Sequence, residues 1–161
     1  MSLDLLNFKR VLIVDDEPDI LETLEGLLQM CDVVKAGTFE EAKSLLETQY
    51  FDIAVLDIMG VDGYKLLEIA NKREVIAVML TAHALSPEDT VKSFKEGAAY
   101  YIPKEKMEDL VTYLNDILEA KHKGKPPWSR WLDRFASYYD KKFGPKWKKV
   151  DEDFWVKYWG G

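Results

Sequence analysis

Cysteine is nearly missing from this 161-residue chain: Cys31 stands alone, so no internal disulfide can form. The N-terminus also lacks a basic start leading into an apolar stretch and a small-residue cleavage site, and a cytoplasmic location is the expectation. Asp, Glu or Lys interrupts every hydrophobic segment before it reaches the roughly 18 residues that a spanning helix needs, which excludes membrane insertion. What is present is ordinary for a globular protein. With 47% hydrophobic and 32% charged residues, the composition excludes a disordered or collagen-like chain. A body of about 120 residues buries a core without disulfides or a structural metal.

Tryptophan is absent before residue 128, and all five (Trp128, Trp131, Trp147, Trp155, Trp159) fall in the last part of the chain, with 11 of the 20 aromatics. Charge divides at the same place. Residues 1–123 hold 13 Lys/Arg against 24 Asp/Glu, and residues 124–161 hold 9 against 5, so an acidic body at -11 carries a basic tail at +4. Between them Lys121-His122-Lys123-Gly124-Lys125-Pro126-Pro127 has the punctuation of a linker. We therefore expect one unit over residues 1–123 and a Trp/Tyr-rich helical extension over 124–161. An acidic body repels phosphates, so no DNA partner is expected of it.

Short apolar runs recur along the body: Val11 to Val14, Asp32 to Ala36, Ile53 to Leu56, Val75 to Leu80, and Ala99 to Ile102. Segments of helical spacing separate and follow them, through Leu24 and Leu28, Ala42 and Leu46, Leu66 and Ala70, Val91 and Phe94, and Leu110 to Leu118. Thr38 with Glu41 is a capping-box pattern, and Ser86-Pro87-Glu88-Asp89 marks another helix start. The pattern is (βα)5 with a five-stranded parallel sheet. Such sheets carry functional groups at the C-terminal ends of their strands.

By that rule Asp15 and Asp16 after strand one, Asp57 after strand three, Thr81 after strand four and Lys104 after strand five converge on one edge. One Asp after a strand is most simply a turn or cap residue. Three gathered carboxylates, however, repel unless protons or a cation compensate, and Mg2+ with oxygen ligands suits best. One carboxylate can then attack phosphorus while an ammonium and a hydroxyl offset charge on the equatorial oxygens.

These residues, in this order, resemble the receiver domain of two-component response regulators over residues 9–122. The resemblance implies a flavodoxin-like three-layer sandwich and transfer of a phosphoryl group from a sensor histidine kinase or phosphotransfer protein onto Asp57. It implies Mg2+ held by Asp15, Asp16, Asp57 and the backbone carbonyl of Met59. It also makes Lys104 and Thr81 the partners of the phosphoryl oxygens, and Thr81 and Tyr101 the switch positions, with Tyr101 moving inward. Two departures stand out. The loop Asp57 to Gly63 is about two residues shorter than the family's and lacks its Pro, and Lys104 is followed by Glu105 and preceded by Pro103, so no cis peptide is expected after it.

In the tail, Trp128, Trp131, Leu132, Phe135, Tyr138 and Tyr139 fall at helical intervals up to Phe143-Gly144-Pro145, and Asp151-Glu152-Asp153 caps a short last helix with Phe154, Trp155, Tyr158 and Trp159. We expect Trp128, Trp131, Phe135 and Trp155 to pack on a receiver surface, within one chain or across a homodimer, ahead of a protein partner, with nucleic acid or a membrane surface a distant third. The tail is too short for a winged helix. The leading expectation is a phosphoacceptor signalling protein, not an enzyme on outside substrates, without a DNA-binding effector. The alternative is a receiver-fold interaction module impaired in phosphorylation, acting through its aromatic tail. A haloacid dehalogenase-type hydrolase is disfavoured, because no second Asp stands two residues after Asp57. His83 and His122 read as surface imidazoles.

Overall fold

The computed structural model describes residues 5–82 and 86–159; of Tyr158 and Trp159 it describes the backbone alone. His83 lies outside the described residues. Five strands, β1 (Arg10–Val14), β2 (Asp32–Ala36), β3 (Ile53–Asp57), β4 (Ile76–Thr81) and β5 (Tyr100–Pro103), alternate with α1 (Pro18–Leu27), α2 (Phe39–Thr48), α3 (Gly63–Lys72), α4 (Pro87–Lys95) and α5 (Leu110–His122). All pairings are parallel, in the order β2-β1-β3-β4-β5. The strand and helix pattern predicts this (βα)5 parallel sheet, and the fold is the three-layer, flavodoxin-like sandwich that the resemblance implies.

Direction reverses after β2. With right-handed crossovers this places α1 on the face opposite α2, α3 and α4, and it makes the β1/β3 border the switch point where such sheets open a crevice. The central strands are apolar throughout because both faces are covered: Val11 to Val14, Ile53 to Leu56 and Ala77 to Leu80 are all buried. Local chemistry sets the helix starts. The Thr38 hydroxyl accepts from the Glu41 N–H at 3.2 Å, and the Ser86 hydroxyl accepts from the Asp89 N–H at 3.1 Å with Pro87 following at the first helical position.

Beyond α5 the chain turns at Gly124, then forms α6 (Trp131–Phe143), a 3₁₀ turn (Trp147–Asp151) and α7 (Glu152–Trp159). The predicted end of α6 is met at Gly144, whose φ of 86° ends the helix. Its start differs: Trp128 lies in the turn that follows Pro126-Pro127, three residues before the helix, and is half-buried. The 3₁₀ turn had no signature in the spacing. The extension docks on the body at α4, α5 and β5, where β5 is the edge strand of the sheet. There the Trp131 indole N–H donates to the Tyr101 carbonyl at 2.9 Å, which ties the extension to the backbone of the edge strand, and Pro103 has no N–H to offer.

Candidate functional site

Register brings the polar strand ends together. Val14 pairs with Leu56, so Asp15 and Asp57 come next on adjacent strands; Asp57 pairs with Leu80, ahead of Thr81; Thr81 pairs with Pro103, ahead of Lys104. Asp15, Asp57 and Thr81 are buried, and the Lys104 side chain is only 10% exposed. Its ammonium lies 2.8 Å from Asp15 Oδ2, 3.1 Å from Glu17 Oε1 and 3.4 Å from Asp57 Oδ1. Asp15 Oδ1 accepts from the Glu17 N–H at 2.9 Å.

Electrostatics follow from this crowding. Burial, then the charge of Asp15, pushes the Asp57 carboxyl up to about 6, while Lys104 pulls the other way. Burial also raises Asp15, against Lys104 and the Glu17 N–H. Burial opposes the charge on Lys104, but its contacts with Asp15 and Glu17 outweigh that and hold the ammonium above its usual range. The site therefore keeps a fixed cation beside a carboxylate that ionises near neutrality, a pairing suited to nucleophilic attack on phosphorus.

Residues suited to a hard cation are also present. Carboxylate oxygens of Asp15, Asp16 and Glu17 lie within 4.8 Å of one another, and Asp16 and Glu17 are exposed at the mouth. The loop after β3 closes against them through Gly60, whose φ is 83° and where a Cβ would stand 2.7 Å from the Asp16 carboxylate. Only glycine lets this shortened loop approach so closely. Gly63, at the start of α3, is similarly pressed: a Cβ there would meet the Asp57 carbonyl at 2.3 Å. This donor set, all carboxylate with a polar, open mouth, fits Mg2+. Met59 lies in the same loop with its side chain 64% exposed.

Tyr101 is fully buried. An inward movement expected of it has no exposed starting point here, because α6 covers the strand that carries it. Trp131 and Phe135 are buried as well, against Phe94, Tyr100 and Tyr113 of the body, and Trp155 is buried behind them, stacked on Trp131 within the extension. Sequence reasoning missed three things. Glu17 holds Lys104, and its signal was a third acid directly after Asp15-Asp16. Asp116 of α5 accepts from the Tyr100 hydroxyl at 2.9 Å and from Arg134 at 2.8 and 2.9 Å; its signal was a charge inside the apolar stripe Tyr113, Ile117, Ala120. The hydrogen bond between Thr90 and Tyr139, 2.6 Å between hydroxyl oxygens, joins residues 49 apart and has no local signature.

Comparison with known proteins adds a lineage. Residues 11–115 match the model of the response regulator receiver domain, and α6 and α7 lie beyond that match. The chain is 40% identical over 99 residues to the heme response regulator HssR of Staphylococcus aureus (strain Newman), covering 58% of this chain and 43% of that protein. It is 36% identical over 101 residues to the two-component response regulator ARR18 of Arabidopsis thaliana, covering 59% and 16%. It thus spans less than half the length of these curated relatives. Among solved structures it is similar to a CheY-like receiver domain protein from Methanospirillum hungatei JF-1, with a TM-score of 0.66 and 32% identity over 73% of this chain and 99% of that one.

Proposed function

The chain belongs to the response regulator receiver-domain family, and from that membership we propose that it accepts a phosphoryl group on Asp57 from the phosphohistidine of a sensor kinase or phosphotransfer protein. In the transfer a carboxylate oxygen of Asp57 forms a bond to phosphorus, the P–N bond to the donor imidazole breaks, and the imidazole leaves with the electron pair. The product is an acyl phosphate. Lys104, already beside Asp57, neutralises charge gathering on the equatorial oxygens, and Thr81 turns its hydroxyl toward them. Asp15, Asp16, Asp57 and the Met59 carbonyl would hold Mg2+, which when bound neutralises phosphoryl charge. Among the described residues no helix is long and apolar enough to cross a membrane.

The observation that carries this reading is the ammonium of Lys104 held within 3.4 Å of a buried Asp57 whose carboxyl ionises near 6. Incubation with acetyl phosphate and Mg2+ should add one phosphoryl group, labile to hydroxylamine, and Asp57→Asn should abolish it. The shortened loop and the burial of Asp57 favour a second reading, a receiver-fold interaction module with reduced phosphotransfer that acts through its aromatic extension. An unlabelled protein that still binds Mg2+ would select it. In either case the signal leaves through α6 and α7 rather than through a DNA-binding unit carried on these residues.

A further inference from the structure

Two features of the extension meet the body next to the proposed phosphoacceptor machinery. The Trp131 N–H bonds the carbonyl of Tyr101, three residues before Lys104 on the same segment. The Tyr139 hydroxyl bonds Thr90 on α4, and both groups are buried. Around these anchors the rings interlock: Trp131 contacts Phe94 of α4 with centroids 5.4 Å apart, and Phe135 contacts Tyr113 of α5 at 5.1 Å. Trp131 also packs on Tyr139 at 5.1 Å.

Sheet geometry ties the same anchors to the site. Met79 pairs with Tyr101 in the β4–β5 register, and Thr81 stands two residues after Met79, so Thr81 and Tyr101 lie on one face of the sheet as diagonal neighbours. A Thr81 hydroxyl drawn toward a group on Asp57 leaves room on that face. Close-packed interiors do not keep such room open, and a bulky side chain held inward fills it. Tyr101 is that side chain, and it is buried with the extension over its strand.

We propose that the docked extension and an occupied Asp57 stabilise one another, because the extension holds Tyr101 and α4 in the arrangement that a Thr81 turned toward Asp57 requires. The extension is then a built-in effector of its own phosphoacceptor site. Coupling of this kind is reciprocal: whatever the docked extension adds to affinity at Asp57, occupancy of Asp57 returns to docking of the extension. The proposal rests on the phosphoacceptor reading, and its test separates the two.

The probe is beryllofluoride with Mg2+, which adds to a carboxylate as a phosphoryl mimic, titrated into the full chain. Tyr139→Phe removes one hydroxyl and Trp131→Phe removes one N–H donor, and both leave an aromatic ring. Each should weaken beryllofluoride binding about fivefold or more. Leu46→Ala in α2, a cavity variant remote from the extension, should lower stability without changing that affinity. In the unaltered protein, beryllofluoride should slow amide exchange across residues 131–157. Equal affinity in the unaltered protein and both aromatic variants, or an equal loss in Leu46→Ala, would overturn the coupling and leave the extension as a brace. An unaltered protein that binds no beryllofluoride would overturn the phosphoacceptor reading itself, and the coupling with it.

Discussion

Asp57 is the residue on which charge and burial are most finely opposed. Its carboxyl ionises near 6 in the folded chain, above the ordinary range near 4, chiefly because burial disfavours the anion. A raised acid binds its proton more tightly folded than unfolded, so its contribution is fully present at low pH and is lost as pH rises through about 6. In chelator-treated protein, Asp57→Asn should therefore raise stability at pH 7.5 by on the order of 1–2 kcal/mol, a gain that shrinks as the pH falls from 6 toward 4. Thermal melts across that range measure it. Gly60 makes a second claim at this scale. Gly60→Ala forces a Cβ onto the Asp16 carboxylate at a φ of 83°, and Mg2+ affinity should fall about tenfold or more while the fold persists. Calorimetric titration tests this, and an unchanged affinity would show that the loop yields. Asp15, Asp57, Thr81 and Lys104 could be placed at strand ends from sequence because each directly follows or closes an apolar run. Glu17 and Gly60 could not, since what each touches depends on how two loops approach.

Among the elements, strands and caps are set locally, while the seam with the extension is set at long range. The five apolar runs became strands to within a residue, and Thr38 and Ser86 cap their helices. Periodicity could also mark α6 as amphipathic. It could not show that Arg134 would reach Asp116 on α5, because that pairing depends on where the helix lands. The pair differs in kind from the others at the seam. Asp116 is buried and takes three hydrogen bonds, whereas Lys95 and Asp151 meet at 2.7 Å in the open. Arg134→Met should leave a buried carboxylate short of its countercharge and cost about 3 kcal/mol, while Lys95→Met should cost less than about 1 kcal/mol. Denaturant unfolding of the two variants compares them, and equal costs would contradict the ranking.

On the scale of the molecule, the extension behaves as part of the core. Trp131, Phe135, Tyr139, Trp147, Phe154 and Trp155 are all buried, and rings of roughly 150 to 250 Å² each, at about 25 cal/mol per Å², represent several kcal/mol together. Truncation after Lys123 should lower the melting temperature and bare Phe94, Tyr100 and Tyr113, giving association that grows with concentration in light scattering. Emission from the intact chain should be blue-shifted, since every tryptophan belongs to the extension. The placement of α6 along β5 bears on assembly as well. A sheet walled off on its β5 side can accept a foreign strand only beside β2, which is short and carries Asp32 and Lys35. Two such sheets joined β2 to β2 would have no free side left, so growth by strand addition stops at a pair. Fibres need two open sides, and the aromatic wall removes one of them.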